Sequence, residues 1–218
     1  MDALDRVNLA AADLLRRVDE ALSGGAPAGH RVWPLLRWIR VLPGPAVEAI
    51  VGLRPPDAED AREVETLAVR VAEAAEPLAT QVAWEGSAGA AFETQRRAYR
   101  EHLVDSVDSV TVRLEDFASY LEELGAWIAE SRVALALRLA TVLRSQESVT
   151  LLTSLDAAER GLAAAEIGAE VLAEIEEILR AGEEVEADWQ PRLARLRRGA
   201  WRPDLSGPAA PTTLRLDL

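Results

Sequence analysis

One run of apolar residues constrains this chain more than anything else in it. Leu103, Val107, Val110, Leu114, Phe117, Leu121, Leu124 and Ile128 follow one another at alternating steps of four and three residues. A strand would need a period of two. A sustained seven-residue repeat instead puts every one of these side chains along a single stripe of an α-helix, the seam of coiled-coil-like packing. A helix carrying this seam from Ser87 to Leu143 would be about 85 Å long at 1.5 Å per residue. That exceeds a compact globule, so the expected fold is all-α, an elongated antiparallel helical bundle built around a long helical hairpin.

Other segments repeat the helical pattern. Leu4, Val7, Ala11, Leu14, Val18 and Leu22 recur at helical spacing over residues 2–22, and Ser23-Gly24-Gly25-Ala26-Pro27 closes that helix. Residues 30–53 read as a helix begun at Val32-Trp33-Pro34, broken by Pro43-Gly44-Pro45 and resumed over Ala46 to Leu53. Trp33 and Trp38 there suit either core packing or a binding surface. Pro55-Pro56-Asp57 signals a new helix start, with Asp57 as N-cap and Glu59 and Asp60 at the positive end of the dipole. The helix that follows carries Val64, Leu67, Val71, Ala74, Leu78 and Val82 on one face, and Pro77 should kink it. After a weakening at Ser145-Gln146-Glu147-Ser148, Asp156 and Glu159 have capping-box spacing for a last helix, with Leu162, Ala165, Leu172, Ile175 and Leu179 inward. It runs to about Arg180, and residues 181–200 extend it if Gly182 is tolerated. The expected organisation is N-terminal helices over 1–55, a helical hairpin over 56–153, a C-terminal helix over 154–200 and a flexible tail over 201–218.

Composition narrows the function. Hydrophobic residues make up 49% of the 218 and aromatics only 5%, so alanine, leucine and valine must fill the core, which suits close-packed helices. The net charge of −13 repels phosphate backbones and argues against nucleic-acid binding. Arg192, Arg195, Arg197, Arg198 and Arg202 form a local basic cluster that balances the glutamates preceding it. All basic residues are arginine, a bias expected of a GC-rich bacterium. There is no cysteine, hence no disulfide framework, thiolate metal site or cysteine nucleophile. The acidic start Met1-Asp2-Ala3-Leu4-Asp5 is unlike a secretory signal. The most apolar window, Ala126 to Val142, contains Glu130, Arg132 and Arg138 and so reads as amphipathic helix, with no membrane span expected.

A search for chemistry gives little. His30 has no histidine or carboxylate at i+3 or i+4, the spacing of a helical metal site; His102 has Asp105 at i+3 but no second such partner, and both read as surface residues. Gly86-Ser87-Ala88-Gly89 lacks the lysine and the strand of a phosphate loop, and Gly-x-Ser-x-Gly is absent. The 37 carboxylates guarantee chance pairs without singling one out. No catalytic residue, cofactor or metal is expected, and the chain reads as a non-enzyme.

Trp84-Glu85-Gly86-Ser87 falls between two amphipathic stretches. Gly86 suits a left-handed position, Ser87 an N-cap, and Trp84 an apolar plug closing the end of the helix seam. Together with Ala88, Ala91 and Phe92 just after the turn, this Trp-x-Gly element resembles the WXG-type superfamily of helical-hairpin proteins tied to bacterial type VII secretion. The resemblance covers roughly residues 57–143, with Trp84, Gly86, Ser87 and Phe92 as the turn motif and Val110, Leu114, Phe117, Leu121, Leu124 and Ile128 as the packing seam. It implies pairing with another helical hairpin, as a homo- or heterodimer, and export without a cleaved signal peptide from a cytoplasmic pool. The remaining segments would be additions like those of PPE-type proteins or toxin N-terminal modules. Two features depart from that pattern. The family's export signal places an acid four residues after a tyrosine, whereas Tyr99 is followed by Leu103 and Tyr120 by Leu124. A toxin would need a catalytic domain, and none is expected within these 218 residues. The competing expectation is an intracellular coiled-coil scaffold or adaptor that shares only the hairpin.

Overall fold

The computed structural model describes residues 1–81 and 83–196, and within them every regular element is helical. The expected tail over 201–218, and with it Arg197, Arg198 and Arg202, lies outside the described residues, as does Val82. In chain order the α-helices are α1 (Ala3–Ser23), α2 (Val32–Ile39), α3 (Pro43–Gly52), α4 (Ala58–Ala75), α5 (Gly86–Arg100), α6 (Val110–Val142), α7 (Gln146–Thr153) and α8 (Ala157–Leu196). A 3₁₀ turn, Glu76–Ala79, follows α4, and a π-helical turn, Glu101–Asp105, follows α5. None of these helices is long and apolar enough to cross a membrane.

The chain divides into two compact units, one of residues 1–57 and 122–188, the other of 58–121 and 189 onward. The first holds the main apolar core. Leu4, Ala11, Leu14, Leu15, Val18 and Leu22 of α1 meet Val47 and Ile50 of α3, Leu135, Leu139 and Val142 of α6, and Ile167, Leu172 and Ile175 of α8. The α1 spacing anticipated from sequence is the buried one. In α8 the inward face is largely small: Ala163, Ala164, Ala165 and Ala169 are buried, and Gly168 sits where a Cβ would crowd Leu22, Val32 and Pro43. These small residues let the helix backbones approach closely.

Several expectations need correction. Pro43-Gly44-Pro45 does not precede the short helix but forms its first turn, where a missing N–H costs nothing. Asp19 of α1 supplies the cap that Leu42 cannot: Gly44 N–H donates to its carboxylate at 3.1 Å, and a Cβ on Gly44 would collide with it. Leu162, expected inward on α8, is exposed, whereas Ala165, Leu172 and Ile175 are buried. Asp156 caps α8 through Ala158 N–H at 2.8 Å, while Glu159 accepts from Ser154 Oγ rather than closing a box. Gly182 is no interruption, since α8 runs through it to Leu196. Its missing side chain makes room for Trp127, whose Nε1–H donates to the Ile178 carbonyl at 3.2 Å.

The single helix expected from Ser87 to Leu143 is instead two. The chain leaves helical geometry after Asp105, and α6 begins afresh at Val110. Ser109 is fully buried and caps the new helix, accepting the Val112 N–H at 3.3 Å, while Asp108 N–H donates to Ser106 Oγ at 3.0 Å. Val107, in phase with the seven-residue repeat, lies exposed in this turn.

His30 is also not a surface residue. Its side chain is only 9% exposed and sits 3.0 Å from Glu166 of α8 through Nε2, while Nδ1 accepts the Val32 N–H at 3.1 Å. Arg31 joins Glu166 at 2.8 Å and Glu170 at 2.6 Å, and Arg138 of α6 joins Glu170 at 2.8 Å and Glu174 at 2.9 Å.

Candidate interaction surface

The second unit carries the residues singled out as the turn motif. Between the 3₁₀ turn and α5 the chain is non-helical over its described residues, and the π-helical turn 101–105 packs against α4 while α5 packs against the 3₁₀ turn. Gly86 has φ +85°, the left-handed geometry expected of it, and opens α5. Ser87 does not cap the helix: the N-cap position belongs to Glu85, whose side chain makes no capping bond. Gly89 is buried beneath the backbone of Trp84, and any Cβ there would strike the Trp84 carbonyl.

Trp84 is not the buried plug expected. It is 64% exposed, and its ring meets that of Phe92, itself exposed, edge to face at 5.5 Å between centroids. The reason is steric. With Gly89 letting the Trp84 main chain sit directly on α5, the side chain is displaced outward, and Phe92 one turn further on is the aromatic it reaches. Such a pair leaves a large apolar area open to solvent, which is unusual unless something covers it.

The residue after Phe92 is held in ion pairs. Glu93 bonds Arg96 at 2.6 Å and Arg97 at 2.9 Å, and these guanidiniums, Arg96 foremost, hold its carboxyl down to about 2.

The seam residues are divided in burial. Ile128 is buried, Val110, Leu114, Leu121 and Leu124 are half-buried, and Phe117 is exposed. Within the second unit, Phe117 and Leu121 of α6 face Val64 and Leu67 of α4 across an open groove of about 1050 Å³, rimmed by Glu59, Asp60, Glu63, Arg62 and Arg70. The α4 residues that are buried are Ala61, Ala68 and Ala75, a seven-residue repeat of the smallest apolar side chain, while Leu67 is left outside. A smaller apolar hollow of about 350 Å³ lies between Val110, Leu114, Phe117 and Leu196. Arg192 and Arg195, read from sequence as part of a solvated basic cluster, are engaged: Arg195 bonds Asp116 at 2.8 Å, and Arg192 lies 4.5 Å over the ring of buried Trp189, which packs edge to face on Tyr120.

Among the described residues no three His, Asp or Glu side chains approach closely enough to hold a metal ion. His30 has both ring nitrogens engaged within the protein. His102 is held below its ordinary range by burial and by the nearby Arg113, which keeps it neutral at neutral pH.

No family model, curated protein or solved structure matches this chain.

Proposed function

We propose that this chain is a non-enzymatic interaction protein that works by helix–helix pairing, in the manner of type VII secretion substrates or their helical partners. One observation carries the reading: the exposed Trp84–Phe92 pair, fixed by Gly86 and Gly89 where the chain passes into α5. A rigid, solvated aromatic pair is costly to keep open and well suited to anchor a partner, since aromatic residues dominate interface hot spots. The half-open groove of Val64, Leu67, Phe117 and Leu121 adds an apolar floor with a charged rim, the form that receives an amphipathic helix. In this reading α4 and α5 are the arms of the hairpin, the partner is another helical hairpin, and export proceeds without a cleaved signal.

The test is twofold. Co-expression with the product of the adjacent gene, followed by light scattering, should give a complex heavier than 23.6 kDa that Trp84→Ala and Phe92→Ala both weaken. Accumulation in the culture medium should cease when the secretion ATPase is deleted. A complex that ignores both substitutions would overturn the assignment of the surface.

A second reading keeps the pairing and drops the export. Neither Tyr99 nor Tyr120 is followed by an acid at the fourth position, which favours an intracellular scaffold. Retention in cells whether or not the ATPase is present, with the complex intact, would select it.

A further inference from the structure

The C-terminal half of α6 has two apolar faces, and the core uses only one. Ile128, Arg132, Leu135, Leu139 and Val142 point inward. On the opposite side, residues 126, 130, 133, 137, 140 and 144 follow one another at alternating steps of four and three: Ala126, Glu130, Val133, Leu137, Ala140, Arg144. Val133 is 57% exposed and Leu137 66% exposed. The second half of α1 is unlike it. The outer face of α1 carries Asp13, Arg16, Arg17 and Glu20 tied into ion pairs, the ordinary dress of a surface helix. Along the α6 stripe the charges stand only toward the ends, one acid and one base. Neither is ion-paired among the described residues: Glu130 makes no side-chain bond, and Arg144 only donates through Nε to the Ala140 carbonyl at 3.0 Å.

The spacing of those two charges identifies the occupant. Glu130 and Arg144 each lie seven residues from Leu137, about 10 Å along the helix on either side of it. We propose that this face binds a second copy of the same chain, with the two α6 helices antiparallel across a two-fold axis at Leu137. In that arrangement Leu137 meets the partner's Leu137, Val133 comes level with the partner's Thr141, and Glu130 meets the partner's Arg144. Because the contact is isologous, the ion pair forms twice. A parallel pairing would set Glu130 against the partner's Glu130 and Arg144 against the partner's Arg144, so the charge order selects the antiparallel one. A single helix face covers less than the roughly 800 Å² per partner of a standard stable interface, so the dimer depends on concentration. This proposal does not rest on the Trp84 surface, which belongs to the other unit.

Sedimentation equilibrium of the full chain across a concentration series reaching the millimolar range should show the mass rising from 23.6 kDa toward twice that value. Leu137→Asp should abolish the rise with the helical circular dichroism unchanged. Glu130→Arg and Arg144→Glu should each weaken association by about tenfold, since two exposed ion pairs become repulsive, and combining them in one chain should restore it. The chain has no cysteine, so single introduced thiols report orientation cleanly. Leu137→Cys should link to itself on oxidation; Glu130→Cys should not, yet should link to Arg144→Cys when the two are mixed. A constant monomer mass, a dimer indifferent to Leu137→Asp, or self-linking of Glu130→Cys as ready as that of Leu137→Cys would each overturn the proposal. Loss of association in Trp84→Ala with these variants behaving as wild type would point instead to the Trp84 surface.

Discussion

Arg132 of α6 holds Asp5 of α1 across 127 residues of sequence, its Nη2 donating to the carboxylate at 2.7 Å. Its Nε donates to Asp2 at 2.7 Å, and its Nη1 faces the carbonyls of Ile50, Val51 and Leu53 at 2.8 to 3.2 Å. Asp2 and Asp5 also form the capping box that begins α1. One guanidinium therefore ties the positive end of α1, through its capping acids, to the negative end of α3.

Arg132 is 4% exposed, and removing it takes the shared guanidinium from two carboxylates and three carbonyls, although Asp5, Val51 and Leu53 keep Arg54 as a donor. Arg132→Met should destabilise the protein by about 1.5–3 kcal/mol, the range for losing hydrogen bonds to a charged group. Urea unfolding followed by circular dichroism would measure it. A loss below about 1 kcal/mol would mean that water replaces the guanidinium without difficulty.

The same network sets the response to acid. Asp2 is held well below the ordinary carboxylate range, first by its bond from Arg132 and then by the Asp5 N–H; Asp5 is lowered by the Asp2 N–H and then by Arg132; Glu166 is lowered by Arg31 and then by His30. A carboxylate depressed in the folded state contributes stability above its unfolded pKa of about 4, and loses it as pH falls toward the folded value. Stability should therefore drop below pH of about 4, more steeply in the wild type than in Arg132→Met. Asp19 runs the other way. Burial raises it despite the Gly44 N–H bond, so its contribution is present below the unfolded pKa and lost as pH rises through the folded one. Asp19→Asn keeps an acceptor for Gly44 and should remove that part of the pH dependence. Chemical denaturation at a series of pH values would resolve both signs.

Gly182→Ala should destabilise by about 1–3 kcal/mol, although alanine favours helix, because the new methyl would press on the ring of Trp127. Thermal melts read the loss, and Trp127→Leu in the same chain should relieve most of it. Equal losses in both backgrounds would place the strain elsewhere.

Trp84→Ala should change stability by less than about 1 kcal/mol, as expected of an exposed side chain. Gly86→Val should cost about 1–3 kcal/mol, since a β-branched residue is strained at φ +85° although nothing stands near its Cβ. Measured side by side by denaturation, the two should therefore differ in the opposite order to their size.

Local pattern carried the helical character of the chain. The apolar steps of α1 and the helix-start signals at Asp57 and Asp156 are short-range, and α1, α4 and α8 begin next to them. The break before α6 was also local, written in Ser106, Asp108 and Ser109, all good capping or turn residues. It was hidden because Val107 happens to keep the phase of the repeat. Pro43 carried a signal that reads two ways, breaker or first helical residue. Two features had no local signal at all. The partner of His30 is Glu166, 136 residues away, and Arg132 reads from sequence only as one charge of an amphipathic helix, because its acceptors come from α1 and α3. Trp84 was misplaced for the opposite reason. A tryptophan beside a tight turn is usually sunk into the core, and here the close seat of its own main chain on Gly89 turns it outward.

The alanine-and-glycine face of α8 gives this protein an unusual kind of fragility. Where Ala163, Ala164, Ala165, Gly168 and Ala169 line the contact, there is little left to shave off, and truncating mutations have almost nothing to remove. Growth is the danger, because one added methylene wedges two helix axes apart. A survey of tolerated variants should therefore be lopsided along this helix, closed to larger residues at the small-residue contact and permissive at exposed positions such as Glu177, Glu183 and Glu184.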